Sequence, residues 1–221
     1  MASAEGLRYP AVTKSLPEIL HRDDRLLVFD KPSGLLSVPG IGPGKADCLA
    51  ARAAAAYPGA RIVHRLDRDT SGVIILALDA EAHRQLSVQF QERKVSKVYI
   101  AIVAGVVEED EGEIDLPMRK DLDDPPRQIV DFEQGRPAQT RWRVLAREGD
   151  RTRLELRPRT GRSHQLRLHL KEIGHPILGD DLYAPPWIVA AAERLLLHAQ
   201  MLRIIHPTTA ALMTFEAPCP F

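Results

Sequence analysis

The chain contains 221 residues, 44% of them hydrophobic, which is enough for one sizeable folded domain. Thirty basic residues balance thirty acidic ones, so the sequence lacks the overall basic excess of many nucleic-acid-binding domains. The N-terminus has no signal-peptide pattern, and no run approaches the ~18 apolar residues of a membrane span. Because Cys48 and Cys219 have the spacing of neither a zinc site nor a disulfide framework, we expect a cytoplasmic protein.

The charges are distributed unevenly along the chain. Residues 151–171 contain seven basic residues and one acid, Glu155, whereas residues 108–124 contain nine acids and two basic residues. One basic face could therefore bind phosphate in a protein that has no net charge.

The first part of the chain predicts an arm followed by a folded domain. Residues 1–17 are polar and interrupted by prolines, so we expect an N-terminal arm, with one domain over residues 18–221 and no room for an S4 RNA-binding domain. Residues 26–30 predict a buried strand, and residues 46–57 predict a short helix.

Residues 61–78 contain two apolar, β-branched runs around a polar insert, residues 64–72. We expect two neighbouring buried strands that hold this insert as a rigid loop. Asp67 lies between Arg65 and Arg68, and a carboxylate between cations should remain ionised, as a nucleophile or base requires. The alternative is a loop that only connects two strands, since Asp, Thr, Ser and Gly are ordinary turn residues.

The middle of the chain continues this alternation of helix and strand. Asp79 is a candidate N-cap for a helix over residues 80–93, and residues 97–104 predict a strand that contains Tyr99. Residues 108–126 predict a loop with a short hairpin near residues 112–116.

The C-terminal half predicts a hairpin, two helices and two final strands. The hairpin involves residues 139–146 and 152–156, the helices cover residues 162–173 and 186–194, and the strands cover residues 195–205 and 212–215. Strands outnumber helices, which indicates an α+β domain with a largely antiparallel sheet.

The helix over residues 162–173 contains two histidines that could suggest a metal site. His164 and His169 are five residues apart, so they point in different directions on a helix, and no cysteine accompanies them. We therefore expect no metal. His164 and Arg167 are three residues apart and should share one face of the helix.

Three segments together resemble the RluA family of pseudouridine synthases. They are Lys31-Pro-Ser-Gly-Leu-Leu-Ser-Val-Pro39 with His64-Arg-Leu-Asp-Arg-Asp-Thr-Ser-Gly72, then Lys97-Val-Tyr99 followed by Ala101, and Arg159-Thr-Gly-Arg-Ser-His-Gln-Leu-Arg167. The resemblance implies a single catalytic domain whose mixed sheet has a cleft across its middle.

The resemblance also implies roles for individual side chains. Asp67 is the catalytic residue, Tyr99 stacks against the target base, and Arg167 lies near the catalytic carboxylate and would hold it ionised. Arg65 fills the space that a flipped uridine leaves, with a generic surface or phosphate-binding arginine as the alternative. Tyr99 has the alternative of a half-buried core residue. Arg162 and His164 complete the substrate-binding residues.

The implied reaction converts uridine to pseudouridine by breaking the N1–C1′ bond and rejoining the base through C5, without a cofactor. Asp67 could attack C1′, attack C6 or take the C2′ proton, and the sequence does not distinguish these. The implied partner of this monomer is structured RNA, a 23S rRNA hairpin loop, a tRNA anticodon stem-loop or both. Two other functions stay open, namely an RNA-binding module without activity and a hydrolase that releases uracil.

Overall fold

The computed structural model describes residues 14–40, 42 and 45–221. Most of the predicted N-terminal arm, residues 1–13, therefore lies outside the described residues. The chain forms two compact units. One contains the described residues up to Val95 together with Met201–Pro218, and the other contains Ser96–Gln200 with Cys219–Phe221.

The described residues form four helices and twelve strands. The helices are α1 (Leu49–Ala56), α2 (Ala80–Gln91), α3 (Gln165–Glu172) and α4 (Pro186–Val189). The strands are β1 (Ile19–Arg22), β2 (Leu26–Lys31), β3 (Arg61–Ile62), β4 (Ser71–Ala77), β5 (Ser96–Ala104), β6 (Glu111–Asp115), β7 (Met118–Lys120), β8 (Gln128–Val130), β9 (Gln139–Glu148), β10 (Arg151–Pro158), β11 (Leu197–Ile205) and β12 (Leu212–Glu216). Within the described ranges, no helix has the length and apolar character needed to cross a membrane.

The first unit is organised around β2 and β4, which pair antiparallel with Leu26 opposite Ala77 and Lys31 opposite Gly72. Strand β1 pairs with β2, β3 pairs with β4, and β12 pairs with β11. Every residue of β4 is buried, and its branched side chains pack with those of β2 and α2 in one apolar core. The register brings the end of β2 beside the start of β4, where the predicted catalytic loop ends.

The second unit contains the antiparallel strand order β5-β10-β9-β6 and a separate β7–β8 hairpin. The predicted hairpin of β9 and β10 is confirmed, with Gly149 and Asp150 as its turn. The predicted hairpin within residues 112–116 is wrong, because this segment is strand β6 and pairs with β9. Gly112 faces Trp142 there, and a Cβ atom at Gly112 would lie 2.6 Å from the indole, so a glycine is required.

Most predicted elements are confirmed, together with the α+β class, but four of them differ clearly in extent or burial. The helix predicted over residues 162–173 begins at Gln165, because His164 is its N-cap in a left-handed conformation. The helix predicted over residues 186–194 is the single turn α4, and the helix predicted over residues 46–57 begins at Leu49 after Cys48 as N-cap. Strand β3 has two residues and pairs with the end of β4. It is partly exposed and buries less apolar surface than the predicted buried strand would.

The predicted N-cap of α2 is confirmed. Asp79 Oδ1 accepts hydrogen bonds from the backbone N–H groups of Glu81 (2.8 Å) and Ala82 (2.9 Å), and Oδ2 accepts one from Arg25 Nη1 at 2.7 Å. The backbone hydrogen bond from Ala82, followed by the Arg25 contact, holds the pKa of Asp79 below its ordinary value of 3.8. The ionised carboxylate therefore stabilises the folded state.

We expect Asp79→Ala to lower the free energy of unfolding by about 1 kcal/mol near neutral pH, because two N–H groups of α2 lose their acceptor. The pKa of Asp79 is lower in the folded than in the unfolded protein. Its carboxylate therefore stabilises the fold fully at pH values above the ordinary pKa of 3.8, and this stabilisation is lost as the pH falls through the lower pKa of the folded protein. Urea unfolding of both proteins between pH 7 and pH 3 should show the difference shrinking. Asp79→Asn retains an N-cap oxygen, and a loss equal to that of Asp79→Ala would contradict the capping role.

Candidate active site

The first unit presents the loop between β3 and β4, which carries two of the predicted site residues. Arg65 is exposed, and Asp67 is partly buried. Arg68 forms an ion pair with Asp69, with Nη2 2.9 Å from Oδ2. One of the two carboxylates of this loop is thus neutralised by its neighbour.

The main chain around Asp67 is held by residues 31–34. The ammonium of Lys31 donates to the carbonyl of Arg68 at 3.0 Å, and the same carbonyl accepts from the N–H of Gly34 at 2.9 Å. The Ser33 hydroxyl donates to the carbonyl of Asp69 at 2.8 Å. The chain on the C-terminal side of Asp67 is therefore fixed by three donors.

The N-terminal side of the loop is fixed by His64 and Ser37. The imidazole Nε2 of His64 accepts a hydrogen bond from the backbone N–H of Ile75 at 3.1 Å, and the ring stacks on Phe90 with 4.6 Å between centroids. An Nε2 that accepts leaves the proton of a neutral ring on Nδ1. The Ser37 hydroxyl contacts both backbone groups of Leu66.

The second unit carries the other predicted site residues, and Gln165 organises their segment. Its side-chain oxygen accepts from the Thr160 hydroxyl (2.8 Å) and the backbone N–H of Arg162 (3.0 Å). Its amide nitrogen donates to the Gln139 carbonyl and the Thr140 hydroxyl, both at 3.0 Å. This buried amide ties the segment before α3 to strand β9, and the sequence analysis did not identify it.

His164 is the N-cap of α3 and adopts a left-handed backbone conformation, with φ 55°. Its Nδ1 lies 2.9 Å from the Tyr183 hydroxyl, which accepts a hydrogen bond from the N–H of Gln128 at 2.8 Å. The guanidinium of Arg167 lies 5.4 Å from the centre of the Tyr183 ring. His164 therefore precedes the helix and does not share a helical face with Arg167 as predicted, although both side chains contact Tyr183.

Arg167 is 3% exposed and forms a buried ion pair with Asp180, which is 0% exposed. Nε donates to Oδ2 at 2.9 Å and Nη2 to Oδ1 at 2.5 Å, and Nη2 also donates to the exposed Asp181 at 2.9 Å. The prediction of one basic face over residues 151–171 is wrong for Arg167, because its charge is inside the fold. The partners Asp180 and Asp181 follow thirteen and fourteen residues later, and no sequence spacing indicated them.

Tyr99 and Lys97 lie on β5 of the same unit. Tyr99 is half-buried, and its ring packs against the core that β5 and β10 share. The Lys97 ammonium donates to the Thr160 carbonyl at 3.2 Å, and burial lowers its pKa to about 8. Lys97 therefore anchors the segment that leads to α3.

The arginines of β9 and β10 differ in their access to anions. Arg141 pairs with Glu113 at 2.8 Å, while Arg143 and Arg157 both approach Glu155, at 3.4 and 2.8 Å. Arg159 is exposed and has no recorded ion pair with another described residue. Only part of the predicted basic run is therefore available for phosphate. No group of three or more His, Cys, Asp or Glu side chains within the described ranges could hold a metal ion.

The predicted site residues are thus divided between the two units. Arg65 and Asp67 belong to the first, whereas the second contains Tyr99, Arg162, His164 and Arg167. The first unit contributes an acidic loop held by side-chain donors, and the second contributes a basic, aromatic segment held by a buried amide.

A family model described as RNA pseudouridylate synthase matches residues 25–172 of the chain. The chain belongs to this family. It is 48% identical over 216 residues to the dual-specificity RNA pseudouridine synthase RluA of Pasteurella multocida (strain Pm70), covering 97% of this chain and 99% of that protein. It is 50% identical over 204 residues to the protein of the same name from Escherichia coli (strain K12), covering 92% of this chain and 93% of that protein.

Solved structures agree with the family assignment. Human RNA pseudouridylate synthase domain containing 1 matches with a TM-score of 0.79 and 30% identity, covering 96% of this chain and 86% of that one. Human RNA pseudouridylate synthase domain containing 4 matches with a TM-score of 0.72 and 28% identity, covering 91% of this chain and 88% of that one.

The protein is therefore an RNA pseudouridine synthase, an isomerase. This family assignment confirms the resemblance, and it favours isomerisation over the binding-module and hydrolase alternatives.

We expect Asp180→Asn to lower the free energy of unfolding by about 3–5 kcal/mol, because a buried guanidinium loses a fully buried counter-charge. The amide oxygen can still accept the N–H groups that Asp180 Oδ1 accepts from Leu182 and Tyr183, so the loss reports the charge. Asp181→Asn is the matched control, because it removes an exposed partner of the same arginine and should cost less than about 1 kcal/mol. Chemical denaturation measures the free energy of unfolding of both variants. Equal losses for Asp180→Asn and Asp181→Asn would show that burial of the ion pair does not determine how much it stabilises the fold.

Proposed function

We propose that this enzyme converts specific uridines to pseudouridine in two kinds of structured RNA, a 23S rRNA hairpin loop and the tRNA anticodon stem-loop. The observation that carries the proposal is the identity of 48% and 50%, over nearly the full lengths of both partners, to enzymes named dual-specificity RNA pseudouridine synthases. The substrate RNAs are those that the sequence resemblance implied.

In this proposal Asp67 is the catalytic residue. It supplies a carboxylate in a loop whose main chain is fixed on both sides, by Ser37 before it and by Lys31 and Gly34 after it. A carboxylate can attack C1′ or C6 or take the C2′ proton, and each of these steps depends on its orientation toward the ribose or base. No cofactor is required, because the isomerisation breaks and forms one bond to the same base without net redox change.

Two further side chains act on the uridine itself. The target atoms are inaccessible inside a stacked RNA, so the nucleotide is flipped out at a cost of a few kcal/mol. Tyr99 stacks on the flipped base, since an aromatic ring fits the face of any base. Arg65, which is exposed, fills the space that the base leaves. Arg167, whose guanidinium pairs with Asp180 and Asp181, belongs to the substrate-binding residues of the second unit.

The phosphates are contacted by arginines of the second unit, the exposed Arg159 and the partly buried Arg162. Arg159 and Arg162 flank the segment that Gln165 and Lys97 anchor, so their backbone positions are fixed. Phosphate contacts of this kind position an RNA without reading its sequence. His164 binds the substrate from the same segment. The enzyme is a monomer that works in the cytoplasm. The reducing environment of that compartment fits the two free cysteines, Cys48 and Cys219.

We expect Asp67→Asn to abolish pseudouridine formation while the protein stays folded, because the amide has the size of the carboxylate but is neither nucleophilic nor basic. Purified enzyme is incubated with 23S rRNA fragments and with tRNA transcripts, and pseudouridine is detected by carbodiimide labelling and unchanged RNA mass. Asp69→Asn is the matched control, since Arg68 already neutralises that carboxylate, and its rate should stay within about tenfold of wild type. Activity of Asp67→Asn in that range would exclude Asp67 as the catalyst. Release of free uracil by the wild type would exclude isomerisation.

We expect Arg159→Ala to weaken the salt dependence of RNA binding, because one phosphate contact is lost. The slope of the logarithm of the binding constant against the logarithm of the salt concentration should become shallower by about one. The affinity for substrate and non-substrate stem-loops should fall alike. Arg157→Ala is the matched control on the same strand end, because its guanidinium is already bound to Glu155 and its slope should not change. Fluorescence anisotropy titrations at several salt concentrations measure both slopes. Identical slopes for wild type and Arg159→Ala would remove Arg159 from the phosphate contacts.

A further inference from the structure

The hydroxyl of Ser37 makes two hydrogen bonds to a single residue of the catalytic loop. Oγ donates to the carbonyl of Leu66 at 2.7 Å and accepts from the N–H of Leu66 at 3.1 Å. Ser37 is 3% exposed and Leu66 is 5% exposed, so neither bond is replaced by bulk water. Leu66 is the residue immediately before Asp67.

These two bonds fix the direction in which the chain enters Asp67. The carbonyl of Leu66 and the N–H of Asp67 belong to one planar peptide unit, so an acceptor bond at that carbonyl sets the orientation of the whole plane. The bond to the Leu66 N–H fixes the preceding plane as well. Only the two soft dihedral angles of Leu66 lie between these planes, and the single hydroxyl restrains both.

Ser37 is itself held by regular structure. Its carbonyl accepts from the N–H of Ala50, and the carbonyl of Leu36 accepts from the N–H of Leu49, at the first turn of α1. Leu36 also forms a β-bridge with Cys48, the N-cap of this helix. The position of the hydroxyl is therefore set by a helix terminus rather than by the loop that it restrains.

We infer that Ser37 is a positioning residue for catalysis, whose hydroxyl holds Leu66 and thereby fixes the direction in which Asp67 presents its carboxylate. The inference rests on the proposed role of Asp67. A shift of the nucleophile by about 1 Å can reduce the rate of an enzyme about 100-fold while binding is unchanged. Loss of the Ser37 hydroxyl should thus appear in the turnover number and not in the affinity for RNA.

The chain offers a matched control that is unrelated to the catalytic loop. The hydroxyl of Thr152 in β10 also bridges two backbone groups, donating to the carbonyl of Gly105 at 2.8 Å and accepting from the N–H of Val107 at 3.0 Å. Thr152 is 0% exposed. Removing either hydroxyl leaves one buried N–H and one buried carbonyl without their side-chain partner, so both changes should destabilise the fold similarly.

The experiment compares wild type with Ser37→Ala, Thr152→Val and Asp67→Asn. Single-turnover rates, kcat and KM are measured on a tRNA anticodon stem-loop at a temperature where all four proteins are folded by circular dichroism. RNA affinity is measured by anisotropy. We expect Ser37→Ala to lower kcat and the single-turnover rate by about 10- to 100-fold with KM and Kd within about threefold of wild type. Thr152→Val should lose a similar amount of thermal stability and retain its rate within about twofold.

Three outcomes would overturn the inference. They are a Ser37→Ala rate within about twofold of wild type, an equal loss of rate in Thr152→Val, or a loss confined to Kd and KM. If Ser37→Ala does not fold, Ser37→Cys is measured instead, because a thiol is a weak donor and acceptor of similar size, and the same kcat effect is expected. An active Asp67→Asn would refute the proposed catalyst, whereas an inactive Asp67→Asn beside a normal Ser37→Ala would refute only the role of Ser37.

Discussion

The loop that carries Asp67 depends on the hydrogen bonds that the ammonium of Lys31 donates. Lys31 is 0% exposed, and its Nζ donates to the carbonyls of Pro32, Leu35 and Arg68 at 2.9, 2.8 and 3.0 Å. A charged group without such partners would be costly inside a protein, so the surrounding backbone has to converge on it. Lys31 is the last residue of strand β2, and its ammonium binds carbonyls of two irregular segments. One is residues 32–35, and the other is the loop that carries Asp67.

This arrangement explains how a short irregular loop can be rigid. Strands β3 and β4 fix only the ends of the loop, and no ladder of backbone hydrogen bonds can orient the residues between them. Side chains from residues 31–37 supply the missing donors, because hydroxyl and ammonium groups satisfy backbone carbonyls that would otherwise be buried without partners. The orientation of the carboxylate is therefore established when the unit folds. A single carboxylate benefits from such preorganisation, since the reaction then requires little rearrangement of the protein.

The sequence identified elements and reactive residues better than it identified the contacts that support them. Apolar, β-branched runs located β2, β4 and β5, and Asp79 was identified as an N-cap because capping depends on residues close in sequence. The role of Gln165 depends on Thr160, Arg162, Gln139 and Thr140, and only the fold brings β9 to this amide. Arg167 was counted with surface charges because its burial against Asp180 leaves no periodic signal. Strand β6 was missed because its acidic residues are typical of loops, although they face the arginines of β9.

The alternation of opposite charges across β6, β9 and β10 bears on how the enzyme searches among cellular RNAs. Glu113 and Glu155 already occupy arginines that would otherwise bind any phosphate chain. Non-specific affinity rises with each additional phosphate that a protein neutralises, so pairing these arginines with carboxylates lowers the affinity of this face for a wrong RNA. Most RNA surface in a cell contains no target uridine, so weak binding to that surface leaves more of the enzyme free to reach its target uridines.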